Sequence, residues 1–94
     1  TLGGIGAFMD NYNLTTVNLP ELLTITSGNT DGCFRRTGLQ TLNIPKCTSI
    51  GTSAFYGIPV CDITCNSFLA TSNNGGENAE IARARTAGCT ITYV

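Results

Sequence analysis

The chain has 94 residues, one small domain near the size at which a single core is just sufficient. Its 41% hydrophobic content is ordinary, but only 12% is charged, about half the usual share. Polarity is carried instead by 15 Thr, 9 Asn and 11 Gly, as in secreted, cell-surface and virion proteins, while a net charge of −1 without a basic cluster argues against nucleic acid.

The first residues, Thr1 to Asn13, read as a partial structural unit. The chain opens with Thr1 rather than Met and carries no signal peptide, so it is expected to be a processed or excised piece of a longer protein. No apolar run approaches the ~20 residues that span a bilayer. Gly3-Gly4-Ile5-Gly6 is Gly-rich, yet it precedes no helix and lacks a following Lys, so it is not a phosphate loop. Leu2, Ile5 and Phe8 are expected on an open strand edge, the kind of edge that invites association.

The next stretch is repeated. Leu14-Thr15-Thr16-Val17-Asn18-Leu19-Pro20 returns 25 residues later as Leu39-Gln40-Thr41-Leu42-Asn43-Ile44-Pro45. Ile25 and Ile50 each follow five residues after the Pro, and a small residue with a ring follows later, at Cys33-Phe34 and Ala54-Phe55, as at Ala7-Phe8. Self-similarity at this period marks a solenoid. Full units run Leu14–Gly38 and Leu39–Pro59, with a last strand at Val60–Asn66. The first unit's excess length, Thr26 to Gly32, reads as a loop insertion on one face.

Within a unit, Leu14, Val17 and Leu19, then Leu39, Leu42 and Ile44, are expected inward; the last two of each set show a strand's two-residue period. Asn18 and Asn43 lie between them and face out, and Pro20 and Pro45 stop the strand because Pro lacks the amide a ladder needs. Stacking of units should turn Phe8, Phe34 and Phe55 into a ladder.

This pattern resembles the BspA-like leucine-rich repeat family. The family's unit reads roughly L-x-x-I-x-I-P…x-I-G-x-x-A-F, matched by Leu39-x-x-Leu42-x-Ile44-Pro45, Ser49-Ile50-Gly51 and Ala54-Phe55. The likeness runs from about Ile5 to Asn66, looser in the first full unit, where Ser27-Gly28 follows Ile25 and Cys33 stands for the Ala. It implies an α/β solenoid, a short leucine-rich-repeat stack. It also implies a non-enzymatic secreted or surface protein of the kind linked to adhesion, with similar repeats in phage proteins. The family fixes no universal binding residue, so the resemblance assigns no site.

After Leu69 the pattern changes. Residues 1–69 read as repeats and 70–94 as a C-terminal capping unit, as solenoids need. Ser72-Asn73-Asn74-Gly75-Gly76 is a turn-rich break. Glu77 to Ala87 has helical spacing, with Asn74 or Asn78 as its cap and Gly88 as a left-handed stop. Cys89 to Val94 alternates as a final strand. Glu77, Glu80, Arg83 and Arg85 read as surface ion pairs rather than an acid/base cluster, and Arg35-Arg36 beside Asp31 as a solvated loop.

Of the five cysteines, Cys33, Cys47 and Cys65 align with inward positions and read as small hydrophobes; Cys61 aligns with Gln40 and reads as exposed. Without His or a C-x-x-C spacing no metal set assembles, and no base stands ready for a nucleophilic Cys; no cofactor is expected. An extracellular disulfide stays open, with an odd count leaving one thiol over. Asn13-Leu14-Thr15 matches a glycosylation acceptor, meaningful only for a eukaryotic secretory origin.

What remains is surface. Thr16, Asn18, Thr41, Asn43, Asp62 and Thr64 form an outward hydrogen-bonding strip, with Tyr12 and Tyr56 in neighbouring turns. The expectation is a binding or adhesion module, extracellular or on a cell surface, that takes a protein or glycan through the repeat sheet. The alternative is a virion or fibre component that assembles with copies of itself.

Overall fold

The computed structural model describes residues 12–25 and 34–94. Two parallel sheets face each other across one core. Strands β1 (Thr16–Asn18), β3 (Thr41–Ile44), β5 (Asp62–Cys65) and β6 (Thr90–Tyr93) form a four-stranded sheet in that order; β2 (Thr24–Ile25) and β4 (Ser49–Ile50) pair on the return side. The register is the sequence repeat itself: Val17 lies beside Leu42, Leu42 beside Ile63 and Ile63 beside Ile91, while Ile25 lies beside Ile50. This is a solenoid-like repeat fold.

Each corner has a chemical cause. The Leu22 N–H donates to the Leu19 carbonyl, and the Cys47 N–H to the Ile44 carbonyl, closing four-residue turns with Pro20 and Pro45 at the second position. Proline's fixed φ suits that place, and its missing amide ends the strand there. The side chains packed between the sheets are the expected ones: Val17, Ile25, Leu39, Leu42, Ile44, Ile50 and Ile63 are buried, with Leu14 and Leu19 partly so. Phe34 and Phe55 are fully buried, their ring centroids 6.1 Å apart and their planes tilted by 55°. Phe8 of the expected ladder, Leu2 and Ile5 of the expected edge, the glycine-rich opening, the inserted loop at 26–32 and Cys33 all lie outside the described residues.

Beyond β5 the route widens. A 3-10 turn, Ser67–Ala70, starts where the Asn66 side chain accepts the Phe68 N–H. Asn74 and Gly75 then form a two-residue turn closed by hydrogen bonds between Asn73 and Gly76, both with positive φ (52° and 88°). Helix α1 (Ala79–Ala87) follows. Of the two expected caps Asn78 is the one used: its Oδ1 accepts from the Glu80 and Ile81 amides. At the other end Gly88 adopts φ 109°, with its own N–H on the Arg85 carbonyl and the Cys89 N–H on the Ala84 carbonyl. Ala84 and Cys89 are both buried there, the apolar pair that accompanies such a stop. The final strand, β6, extends the main sheet in parallel with β5.

Two expectations are corrected. Cys61 is not exposed: it is 4% accessible, because along β5 residues 61, 63 and 65 share the inward face. The position of Gln40 in the preceding unit was the wrong guide, and the strand period was the right one. Glu80 keeps the expected ion pair with Arg83, but its carboxylate does not lie on the surface. It is 4% accessible, and its Oε1 accepts the Phe55 N–H at 3.0 Å as well as lying 3.2 Å from Arg83 Nε.

Candidate functional site

Parallel pairing carries the outward residues of the four main-sheet strands into two ranks. Thr16, Thr41, Asp62 and Thr90 form one, all exposed; Asn18, Asn43, Thr64 and Thr92 form the other, exposed or half-buried. Neighbouring strands lie about 4.8 Å apart, and residues two apart on one strand about 6.6 Å, so the face is a grid of hydrogen-bonding groups at near-molecular spacing. Every member is neutral except Asp62.

The ranks are internally ordered. Asn43 Nδ2 donates to Asn18 Oδ1 at 2.7 Å, which fixes both amides and leaves the Asn43 side-chain carbonyl, its second N–H and both Asn18 N–H groups directed elsewhere. Beside the same face, Lys46 Nζ meets Glu21 Oε2 at 2.7 Å, again from equivalent positions one repeat apart. Asn66 Nδ2 donates to the Pro45 carbonyl at 3.2 Å, so the corner row is stitched as well. The first two bonds are solvent-exposed and the third is part-buried; each contributes little, but they restrict rotamers and so pre-order the surface.

Tyr12 and Tyr56 part company with the sheet. Tyr12 is 68% exposed on the turn before β1, where its carbonyl approaches Gly38 so closely that a Cβ there would sit 2.6 Å from it. Tyr56 is 39% exposed, and the Arg35 and Arg83 guanidiniums lie 5.6 Å and 5.7 Å from its ring centroid. That cluster belongs to the turn after Phe55 and to α1, not to the strand face. Thr16, Asn18, Thr41, Asn43, Asp62 and Thr64 are thus brought together, and the two tyrosines are not joined to them.

Two members of the ranks, Thr90 and Thr92, escaped the sequence reading. Their alternation with Ile91 and Tyr93 marked a strand, but only the register shows that it continues this sheet. Behind β6, the Tyr93 hydroxyl donates to Glu77 Oε2, and Arg85 holds both Glu77 oxygens, at 2.7 and 3.2 Å. Arg85's hydrogen bonds hold the Glu77 carboxyl below its usual range, while burial pushes the Tyr93 phenol up to about 12. Among the described residues no group of three or more His, Cys, Asp or Glu is placed to hold a metal, and no helix is long and apolar enough to cross a membrane.

Short parallel strands stacked in repeat register, with inward Leu and Ile and outward polar ranks, define a leucine-rich-repeat scaffold. The family comparison agrees: the BspA type leucine rich repeat region, in a model of six copies, matches residues 4–64 and 29–75. The chain belongs to that family. No curated protein and no solved structure was found to match it. Proteins of this family are generally protein-interaction modules, typically non-enzymatic, and are found at surfaces or secreted.

Proposed function

We propose that the chain is a binding or adhesion module that takes a protein or carbohydrate ligand on the two polar ranks of its main sheet. The observation that supports this most is the Asn18–Asn43 pair seated among exposed threonines. A rigid grid of neutral donors and acceptors suits hydroxyl-rich or backbone-like ligands, because it loses little entropy on binding and does not depend on charge. Thr16, Asn18, Thr41 and Asn43 are its centre, with Asp62, Thr64, Thr90 and Thr92 continuing it. Tyr12 and Tyr56 serve as flanking contacts at most.

Residues 70–94 act as the capping unit in this reading. Helix α1 lays Ile81 and Ala84 onto the core and ties itself to the repeats through Glu80, which covers apolar surface that a further coil otherwise takes.

The test is a screen of the wild-type chain on glycan and host-protein arrays, followed by the double change Asn18→Ala and Asn43→Ala. Binding should be abolished at least tenfold while unfolding stability stays within about 1 kcal/mol, since the amide bond lost is exposed. A broad screen without any ligand counts heavily against the proposal. Light scattering on the same sample separates the structural alternative, a virion or fibre component: a 9.9 kDa monomer fits a binding module, and a trimer or polymer fits self-assembly.

A further inference from the structure

We propose that Cys61 and Cys89 form an intramolecular disulfide that fastens the start of β5 to the start of β6. Two of the chain's five cysteines occupy the same repeat position in adjacent coils, each immediately before a strand whose first residues, Asp62 and Thr90, are register partners. Thr15 and Gln40 fill that position in the earlier coils and are exposed; here both side chains turn inward, with 4% and 5% accessibility. The Thr90 N–H donates to the Cys61 carbonyl at 3.0 Å, which fixes the two backbones side by side.

The geometry suits a bridge. Neighbouring parallel strands hold Cα atoms about 4.8 Å apart, inside the roughly 4.4–6.8 Å span of linked cysteines. The Sγ atoms are 3.7 Å apart, so side-chain rotation brings them to the bonding distance of about 2.05 Å without moving a strand. The Cys89 Sγ is also 3.3 Å from the Pro59 carbonyl, which keeps it on the Cys61 side. Cys47, by contrast, directs its Sγ to the Ser49 carbonyl at 3.4 Å.

The chemistry is exchange with a small-molecule disulfide of the glutathione type. One cysteine thiolate attacks it, releases the first small thiol and leaves a mixed disulfide. The second cysteine thiolate then displaces the other small thiol. Two cysteine S–H groups are oxidised, and their two electrons and two protons appear in two small-molecule thiols. Burial, then the neighbouring Cys89, pushes the Cys61 thiol up to about 12, so the closed fold reacts slowly and the bridge forms while the chain is folding. Once formed, it spans 28 residues of sequence, a ring that contains the 3-10 turn, the Asn74-Gly75 turn and the whole of α1.

The full chain is refolded in a buffer of reduced and oxidised glutathione, quenched with acid, and alkylated after denaturation. Three of five thiols should be alkylated. Trypsin isolates Cys89 on fragment 86–94 and places Cys61 on fragment 47–83, so those fragments should run linked, with fragmentation locating the bridge at Cys61. The oxidised protein should melt about 10 °C or more above its reduced form. Cys61→Ser should free fragment 86–94 and abolish that difference. Five alkylated thiols, or fragment 86–94 linked to Cys33, Cys47, Cys65 or a second chain, would overturn the assignment, and neither result depends on a variant that folds.

Discussion

Removing the Glu80 carboxylate should unfasten the helix from the repeats. In Glu80→Ala the buried Phe55 N–H loses its acceptor, an oxygen 3.0 Å away, at a point where the surrounding residues are apolar. A hydrogen bond to a charged acceptor contributes about 1.5–3 kcal/mol, and a buried donor left unsatisfied costs a similar amount. The Arg83 pair adds little: its side chain is 45% exposed, which reduces the pair to a few tenths of a kcal/mol by solvent screening. The lost bond and the unsatisfied donor are one loss seen from two sides, so the change costs about 2–3 kcal/mol in all. Glu80→Gln keeps an oxygen for the Phe55 amide and exchanges a charged acceptor for a neutral one, so it should cost about 1 kcal/mol. Arg83→Ala should cost less than 1 kcal/mol, chiefly through its contact with the Tyr56 ring. Urea unfolding at neutral pH, followed by circular dichroism, reads these as shifts of the midpoint at constant slope. If Glu80→Ala falls within 0.5 kcal/mol of wild type (a shift of about a factor of two in the equilibrium constant), or if Arg83→Ala costs more, the carboxylate is not the tie.

Phe55→Ala empties a fully buried site against Phe34 and should cost about 3–5 kcal/mol by the same assay; a loss under about 1 kcal/mol would mean that the coils are not packed through this ring. The alkaline limb of stability should carry the signature of Tyr93, whose phenol rises from 10.0 to about 12, through burial first and the Glu77 hydrogen bond next. A fold that holds this proton more tightly is fully stabilised below pH 10 and loses that contribution as the pH climbs to 12. In the reduced protein the buried thiols of Cys61 and Cys65, raised from 9.0 to about 12, act in the same direction, so the difference between reduced wild type and reduced Tyr93→Phe isolates the phenol; identical limbs would refute the assignment. Glu77 works at the acid end. Its carboxyl is lowered from 4.5, chiefly by Arg85, so its contribution is complete above pH 4.5 and disappears as the pH falls through the lowered value; Glu77→Gln should flatten that acid limb.

The repeat coils were legible because their signal is redundant. Leu42, Ile44 and Ile50 repeat the identities or types of Val17, Leu19 and Ile25, and each pair turned out to be register neighbours or to line the same core. Pro20 and Pro45 announced the corners, and Asn78 and Gly88 the ends of the helix, because these residues act through backbone chemistry that needs no partner far away. The burial of Cys61 and Glu80 is hidden in the sequence for the opposite reason. The local pattern points both outward: Cys61 stands where the preceding unit has Gln40, and Glu80 has Arg83 and Arg85 three and five residues on. What buries them is a strand or turn that arrives from elsewhere: Cys89 lies 28 residues after Cys61, and Phe55 lies 25 residues before Glu80.

The same distinction explains why the outward face was found in outline yet not in extent. A strand's period identifies which residues leave the core, so Thr16, Asn18, Thr41 and Asn43 could be named from one coil at a time. How far the face continues depends on which strand pairs next, and the wide loop through α1 hid that Thr90 and Thr92 stand beside Asp62 and Thr64. The helix therefore does two things at once. It packs Ile81 and Ala84 into the core and ties itself to Phe55 through Glu80, and it delivers β6 to the main sheet, adding a fourth strand to the polar ranks. A change that loosens α1 should for that reason weaken the proposed ligand contacts at Thr90 and Thr92 more than those at Thr16 and Asn18, which are held by the coils alone.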